Sequence, residues 1–213
     1  MIAQNVPAQS GRTLILASAS PRRKELLESA GFTFTVTPAS IEERQKEGEV
    51  AEDFVRRIAE EKAEAVFQRL PANLSNLVLG ADTVVVVDGA TLGKPASTDD
   101  ARRMLRLLSG RQHRVLTGIC LIGYILSEAA RTSSDPWRIR KDVRVASTSV
   151  AFLTISEEEI EGYIATGEPF DKAGAYGIQG RASKFVEKID GCYFNVVGLP
   201  LSLVHQMIKE FDE

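Results

Sequence analysis

The chain has little of what builds metal centres or disulfide frameworks: 213 residues include only 2 cysteines and 2 histidines. Cys120 and Cys192 each sit in an apolar context and share no ligand-like spacing with His113 or His205. That argues against a zinc site and for free thiols in a reducing compartment. Long hydrophobic runs are missing too. The longest, "VLTGICLIGYIL", is too short and too broken by Gly and Thr to span a bilayer. The start, "MIAQNVPAQSGR", lacks a basic stretch followed by an apolar one, so no secretory signal is read. A net charge of −3 excludes a general nucleic-acid or membrane-surface binder. No internal repeat or low-complexity linker interrupts the chain. These absences predict a soluble, cytoplasmic globular protein with no nucleic-acid or membrane partner; any anion must be gripped by a local cluster.

What is present is an apolar fraction of 44%, enough for a sizeable core, and an alternation of strand and helix signals. Residues 13–17 ("TLILA") read as a buried strand. Residues 21–30 read as a helix closed by Gly31, and residues 32–36 as a strand. The longest helical pattern covers residues 51–69. "LVLGADTVVVVDGATLGK" predicts strand segments and a hairpin turn at Asp88-Gly89. Thr98 reads as the cap of a helix that ends before Gly110. Two long strands follow, joined by a polar segment, residues 127–141, that reads as a mobile hairpin loop. Ser156 and Glu159 form a capping box, and residues 200–211 make a last amphipathic helix. The fold class expected is mixed α/β, with long hairpins that make the sheet not purely parallel.

Several residues carry chemistry. "SASPRRKELL" puts Ser20 at a helix cap, Pro21 at its first position, and Arg22 and Arg23 in the first turn. The helix dipole disfavours cations there. Free amides plus two guanidiniums suit a phosphate, with Ser18 as a further donor; the alternative is an Arg22–Glu25 pair with Arg23 in solvent. Asp82, between strand-forming runs, is a metal ligand or general base, or simply an acid at a strand end or bend. Glu42 or Glu43 of "IEER" could join it around magnesium, which favours few carboxylates plus substrate phosphates. Lys62 lies on the apolar face of its helix, where snorkelling is favoured over reaching an anion in a cleft. Lys94 is held between Gly and Pro. "GEPFDKAGAYGIQG" holds Lys172 and Gln179 among glycines that match neither a P-loop nor a dinucleotide fingerprint. Several cations, a few carboxylates and a Gly-rich loop together suit a Mg-triphosphate clamp with hydrolysis at one phosphorus.

The motifs "LASASPRRKELL", "ADTVVVVDGATLGKP", "SGRQHRVLTGI", "YIATGEPFDKAGAYGIQG" and "FNVVGLPL" resemble, in order, those of the Maf family of nucleotide pyrophosphatases. The resemblance implies an elongated α/β fold like that of the inosine-triphosphate pyrophosphatases: a mixed sheet flanked by helices, with two lobes around a cleft. It implies a flexible segment over residues 1–12 and a single domain over residues 13–213. The implied reaction takes a nucleoside triphosphate to monophosphate and pyrophosphate with a divalent cation, Mg or Mn, and removes non-standard nucleotides. Asp82 then matches the catalytic base, with Glu42 beside it at the metal. Ser18, Arg22, Arg23, Lys62, Thr83, Lys94, Lys172 and Gln179 match positions that bind substrate or support catalysis. "ADTVV", with Thr83 after Asp82, resembles the branch acting on dTTP and UTP rather than 7-methyl-GTP. A homodimer is implied as well. The rival from another class is a nucleotide-binding regulator of septum formation.

Overall fold

A computed structural model describes residues 12–72, 75–126 and 137–211. The elements run β1 (Thr13–Leu16), α1 (Pro21–Ser29), β2 (Phe34–Val36), α2 (Ala51–Phe67), β3 (Asn76–Val87) and β4 (Ala90–Leu92). Then come α3 (Thr98–Leu108), β5 (Gln112–Leu126), β6 (Trp137–Phe152) and α4 (Glu157–Ile164). Short 3₁₀ turns at Glu168–Asp171, Ala173–Ala175 and Arg181–Phe185 precede β7 (Val186–Asp190), α5 (Tyr193–Val197) and α6 (Leu201–Glu210). One mixed sheet in the order β2-β1-β3-β5-β6-β7, with β4 on β3, carries the fold. Strand β1 is parallel to β2 and β3, and the other pairings are antiparallel. The expected α/β class with helices flanking a mixed sheet is the one observed. No helix among the described residues is long and apolar enough to cross a membrane.

β3 is buried along most of its length, so its alternate residues feed two cores. Leu77, Leu79 and Ala81 pack with α6 residues Val204 and Met207. Val78 on the opposite face packs with Ala59, Ala63 and Val66 of α2, and Val84 and Val86 with Val55 and Ile58. On this second face two glycines decide how close α2 comes. A Cβ at Gly80 would stand 2.1 Å from the Ala59 carbonyl oxygen, and one at Gly118 2.1 Å from that of Val55. The helix backbone therefore rests directly on the sheet. Gly118 is the register partner of Asp82 on β5, so Asp82 projects toward α2 beside the point of closest approach.

Local expectations need four adjustments. The cap of α3 is Ser97, whose side chain accepts from the Asp100 amide, because Thr98 already has helical geometry. Residues 137–141, expected in a loop, continue β6 and pair with residues 122–126 of β5. Their charged residues suit a strand that is exposed there; the remainder of the expected loop, residues 127–136, lies outside the described residues. Asp82 stands inside one unbroken strand, not at an end or bend, since β5 pairs β3 continuously from Leu77 to Val86. Residues 1–11 also lie outside the described residues, while Arg12, assigned to that segment, donates to the Tyr124 carbonyl and lies over the Phe211 ring. The capping box at Ser156 and Glu159 forms as expected. Both cysteines are free, Cys120 buried and Cys192 half-buried.

The seating of α2 is testable. Gly118→Ala must push α2 off the sheet and is expected to cost about 1–3 kcal/mol in urea unfolding. Gly162→Ala, where a Cβ meets nothing within 4 Å in helix α4, is the control and should not destabilise.

Candidate active site

The sheet is interrupted where chemistry would need room. Strand β1 pairs with β3 over residues 76–79 and β4 over residues 85–87, which leaves residues 80–84 without a strand partner on that edge among the described residues. A cleft of about 1010 Å³ opens there. Its walls come from the β1–α1 turn, residues 39–43, α2, the β4 exit, the Gly-rich segment after α4 and the end of α5. Asp82 lies at its floor.

Lys62 is buried, and its Nζ lies 2.8 Å from Asp82 Oδ1 and 2.9 Å from Glu43 Oε1. This corrects the expectation of snorkelling. With α2 seated on glycines, the lysine stem is confined between helix and sheet, and two carboxylates receive its charge. The acid on the loop is Glu43; Glu42, expected beside the metal, is exposed and does not line the cleft, while its neighbour's side chain does. The two carboxylates sharing Lys62 are driven apart in acidity. Burial pushes the Asp82 carboxyl above the usual carboxylate range, against the pull of Lys62 and Arg23 and with help from Glu43. For Glu43 burial acts the same way but is outweighed by the charge and hydrogen bond of Lys62 and by Lys94, so its carboxyl falls below its ordinary value. Carboxylates whose environments separate their acidities divide into a fixed charge and a proton acceptor.

Arg23 departs from its expected role as a free phosphate clamp. Its Nε donates to the Gly198 carbonyl (2.9 Å), Nη1 to Ser18 Oγ (3.0 Å) and the Ala81 carbonyl (2.9 Å), and Nη2 to Thr83 Oγ1 (3.0 Å). The guanidinium thus ties the open edge of β3 to the start of α1 and the end of α5, and most of its donors are spent on protein acceptors. These four bonds offset the unfavourable placement of a cation at a helix N-terminus. Thr83 Oγ1 also lies 3.0 Å from Thr117 Oγ1 and 3.3 Å from the Gly198 carbonyl, so its hydroxyl serves the same brace. Ser18 Oγ accepts from the Ser20 amide as well. Arg22 pairs with Asp171 (Nη1 to Oδ2, 2.6 Å), not with Glu25. Lys172 Nζ meets the Glu168 carbonyl and Asp171 Oδ1, each at 2.7 Å. Lys94 and Gln179 are exposed and line the cleft.

The structure therefore brings together Ser18, Arg22, Arg23, Lys62, Asp82, Thr83, Lys94, Lys172 and Gln179, and leaves out Glu42. It adds Glu168, Asp171 and Tyr176, all within the "GEPFDKAGAYGIQG" motif that also carries Lys172 and Gln179. A divalent cation can be weighed against this donor set. No group of three or more His, Cys, Asp or Glu able to hold a metal occurs among the described residues. The Asp82–Glu43 pair offers two carboxylates at the cleft, which fits an ion that takes its remaining ligands from phosphates and water.

Fold and cleft together define an α/β protein with a cation-walled, carboxylate-floored cleft at the open edge of its sheet, a setting suited to a phosphorylated ligand. The profile of the family described as "Maf-like protein" matches residues 13–211, and the chain belongs to that family. It is 47% identical over 199 residues to the dTTP/UTP pyrophosphatase of Koribacter versatilis, covering 93% of this chain and 94% of that protein. It is 48% identical over 198 residues to the dTTP/UTP pyrophosphatase of a Geobacillus species, covering 93% and 97%. Among solved structures the Staphylococcus aureus Ham1 protein is similar at a TM-score of 0.46 and 14% identity, over 94% of this chain and 100% of that one.

One cleft wall carries a proton-linked feature. Tyr176 has its hydroxyl 2.8 Å from Nε2 of buried His113, whose ring also stands edge-on to Phe152. Burial pulls the His113 pKa from 6.5 down to about 4, with a backbone contact from Arg111 opposing. The unfolded chain then binds more protons between those values, so stability is lost as pH falls from about 6.5 toward 4. His113→Gln removes this term. Its stability deficit relative to the natural protein should shrink by about 2 kcal/mol between pH 7 and pH 5 in urea unfolding, whereas an unchanged deficit would mean the ring is not held neutral.

Proposed function

We propose that this chain hydrolyses dTTP and UTP to the monophosphate and pyrophosphate. The observation that carries the reading is the buried Asp82–Lys62 pair, joined by Glu43, at the floor of a cleft walled by further cations. Relatives that share nearly half of this chain's residues over almost its full length are named for that activity, which supports the choice of substrates.

Asp82 has the character the reaction needs. Its Oδ1 is fixed by Lys62, and its raised pKa makes the carboxylate a stronger base than an exposed one. The second oxygen takes a proton from water as that water attacks the α-phosphorus, and the bond to the bridging oxygen breaks to release pyrophosphate. A divalent cation, Mg or Mn, would be held by Asp82 and Glu43 and would neutralise phosphate charge when bound. Lys62 keeps Asp82 in place, and Lys94 and Arg22 offset charge building on the phosphates. Arg23 and Thr83 hold the open edge of β3 in the shape that receives them. The proposal extends to a cytoplasmic homodimer: the two free thiols support a reducing compartment, and the dimer rests on family resemblance alone.

The test is pyrophosphate release from dTTP, UTP, CTP, GTP and 7-methyl-GTP, with Mg²⁺ or Mn²⁺ and with chelator. Release from dTTP and UTP that stops with chelator is expected, and Asp82→Asn should lower kcat by about 10²–10⁴ while remaining folded. Release confined to 7-methyl-GTP would overturn the substrate assignment. Full turnover by Asp82→Asn would overturn the mechanism.

A further inference from the structure

The Gly-rich segment that carries Gln179 has no helix or long strand of its own to hold it. Buried Tyr176 anchors its start on His113, and one carboxylate reaches both ends of the turn beyond it. Both oxygens of Glu168 accept from the backbone amide of Arg181, each at 3.1 Å, immediately beyond the segment's second glycine. At the other end the Gly177 amide donates to the Tyr163 hydroxyl (3.3 Å), and that hydroxyl in turn lies 3.3 Å from Glu168 Oε1. Between these anchors the Gly180 amide closes a tight turn onto the Gly177 carbonyl (3.1 Å), with Gln179 on the turn and facing the cleft. Gly180 leaves room for the clamp, and Gly177 for the Lys172 stem. A Cβ at Gly180 would fall 1.7 Å from Glu168 Oε1, and one at Gly177 2.5 Å from the Lys172 side chain.

We propose that Glu168 is a positioning residue: its carboxylate clamps both ends of the turn at residues 177–181 and so sets where Gln179 meets the substrate. This rests on the triphosphate reading of the cleft. A carboxylate that lines a cleft beside other acids has an obvious rival role as a metal ligand or base, and the geometry separates the two. Both Glu168 oxygens are directed at a backbone amide on the turn, and neither bonds Lys62 or Lys94. The clamp needs acceptor oxygens more than charge, because its partners are neutral amide and hydroxyl groups.

The experiment compares Glu168→Gln, Glu168→Ala, Gln179→Ala and the Glu168→Ala/Gln179→Ala double variant. For each, kcat and KM for dTTP are measured, together with amide hydrogen exchange over residues 177–181. Glu168→Ala should speed exchange at Gly177 and Arg181 and reduce kcat/KM about tenfold or more. Glu168→Gln, which keeps one acceptor, should recover most of that loss. In the double variant the Glu168 change should add less than about twofold to Gln179→Ala, because the two act through one contact. Glu168→Gln as inactive as Glu168→Ala would make the charge itself the functional element and overturn the proposal, as would full additivity with Gln179→Ala or exchange unchanged in Glu168→Ala. If the natural protein released no pyrophosphate from any nucleotide, the exchange comparison would still decide the clamp, while the activity reading alone would fail.

Discussion

One ammonium group between two carboxylates organises this protein. Lys62 Nζ lies within 3 Å of both Asp82 and Glu43, and each partner comes from a different part of the chain: helix α2, strand β3 and the loop after β2. Such a triad is costly to build, because Lys62 and Asp82 leave water together while Glu43 stays half exposed, and it persists only where geometry is enforced from outside. The enforcement comes from Gly80 and Gly118, which let the backbone of α2 lie against the sheet so that a lysine on its apolar face arrives at a carboxylate on the floor. Removing Lys62 leaves two like charges facing one another. Moving α2 outward has the same consequence by another route.

The rest of the cleft is held open by polar ties where ordinary sheet pairing stops. Arg23 replaces a neighbouring strand at the open edge of β3 by taking the Ala81 carbonyl, and it joins that edge to the α5 end through Gly198. Opposite it, Glu168 shapes the glycine-rich turn, and Asp171 joins Arg22 to Lys172 across the mouth. Charged side chains that look like ligand donors therefore divide. Some, like Arg23, are consumed in holding the walls apart, and others, like Lys94, line the cleft with their charge open to it.

Much of the architecture was legible in the sequence because period and turn chemistry are local. Alternation marked the strands, Asp88-Gly89 marked a hairpin, and Ser156 with Glu159 marked a helix start that forms as read. Ser97, not Thr98, caps α3: two adjacent hydroxyl residues compete for one cap and only the backbone angles decide between them. Most residues proposed for the site do converge, yet their division of labour was not readable. Whether Arg23 is free or spent depends on carbonyls 58 and 175 residues away in the chain. Glu43 and Glu42 are adjacent and chemically equivalent, and only the path of an irregular loop turns one toward Lys62. The fate of Lys62 depended on two glycines in other strands, a contact that the helical pattern of α2 does not contain.

Asp82, the proposed base, is buried, and burial raises its pKa against the pull of Lys62. Its most direct measurement is a carboxyl ¹³C NMR titration of Asp82 and Glu43 in the natural protein and in Lys62→Met. Asp82 is expected to titrate above the ordinary aspartate range and Glu43 below the ordinary glutamate range. In Lys62→Met both should shift upward, because the shared positive charge is gone. An Asp82 that titrates as an exposed aspartate, and is indifferent to the loss of Lys62, would contradict it.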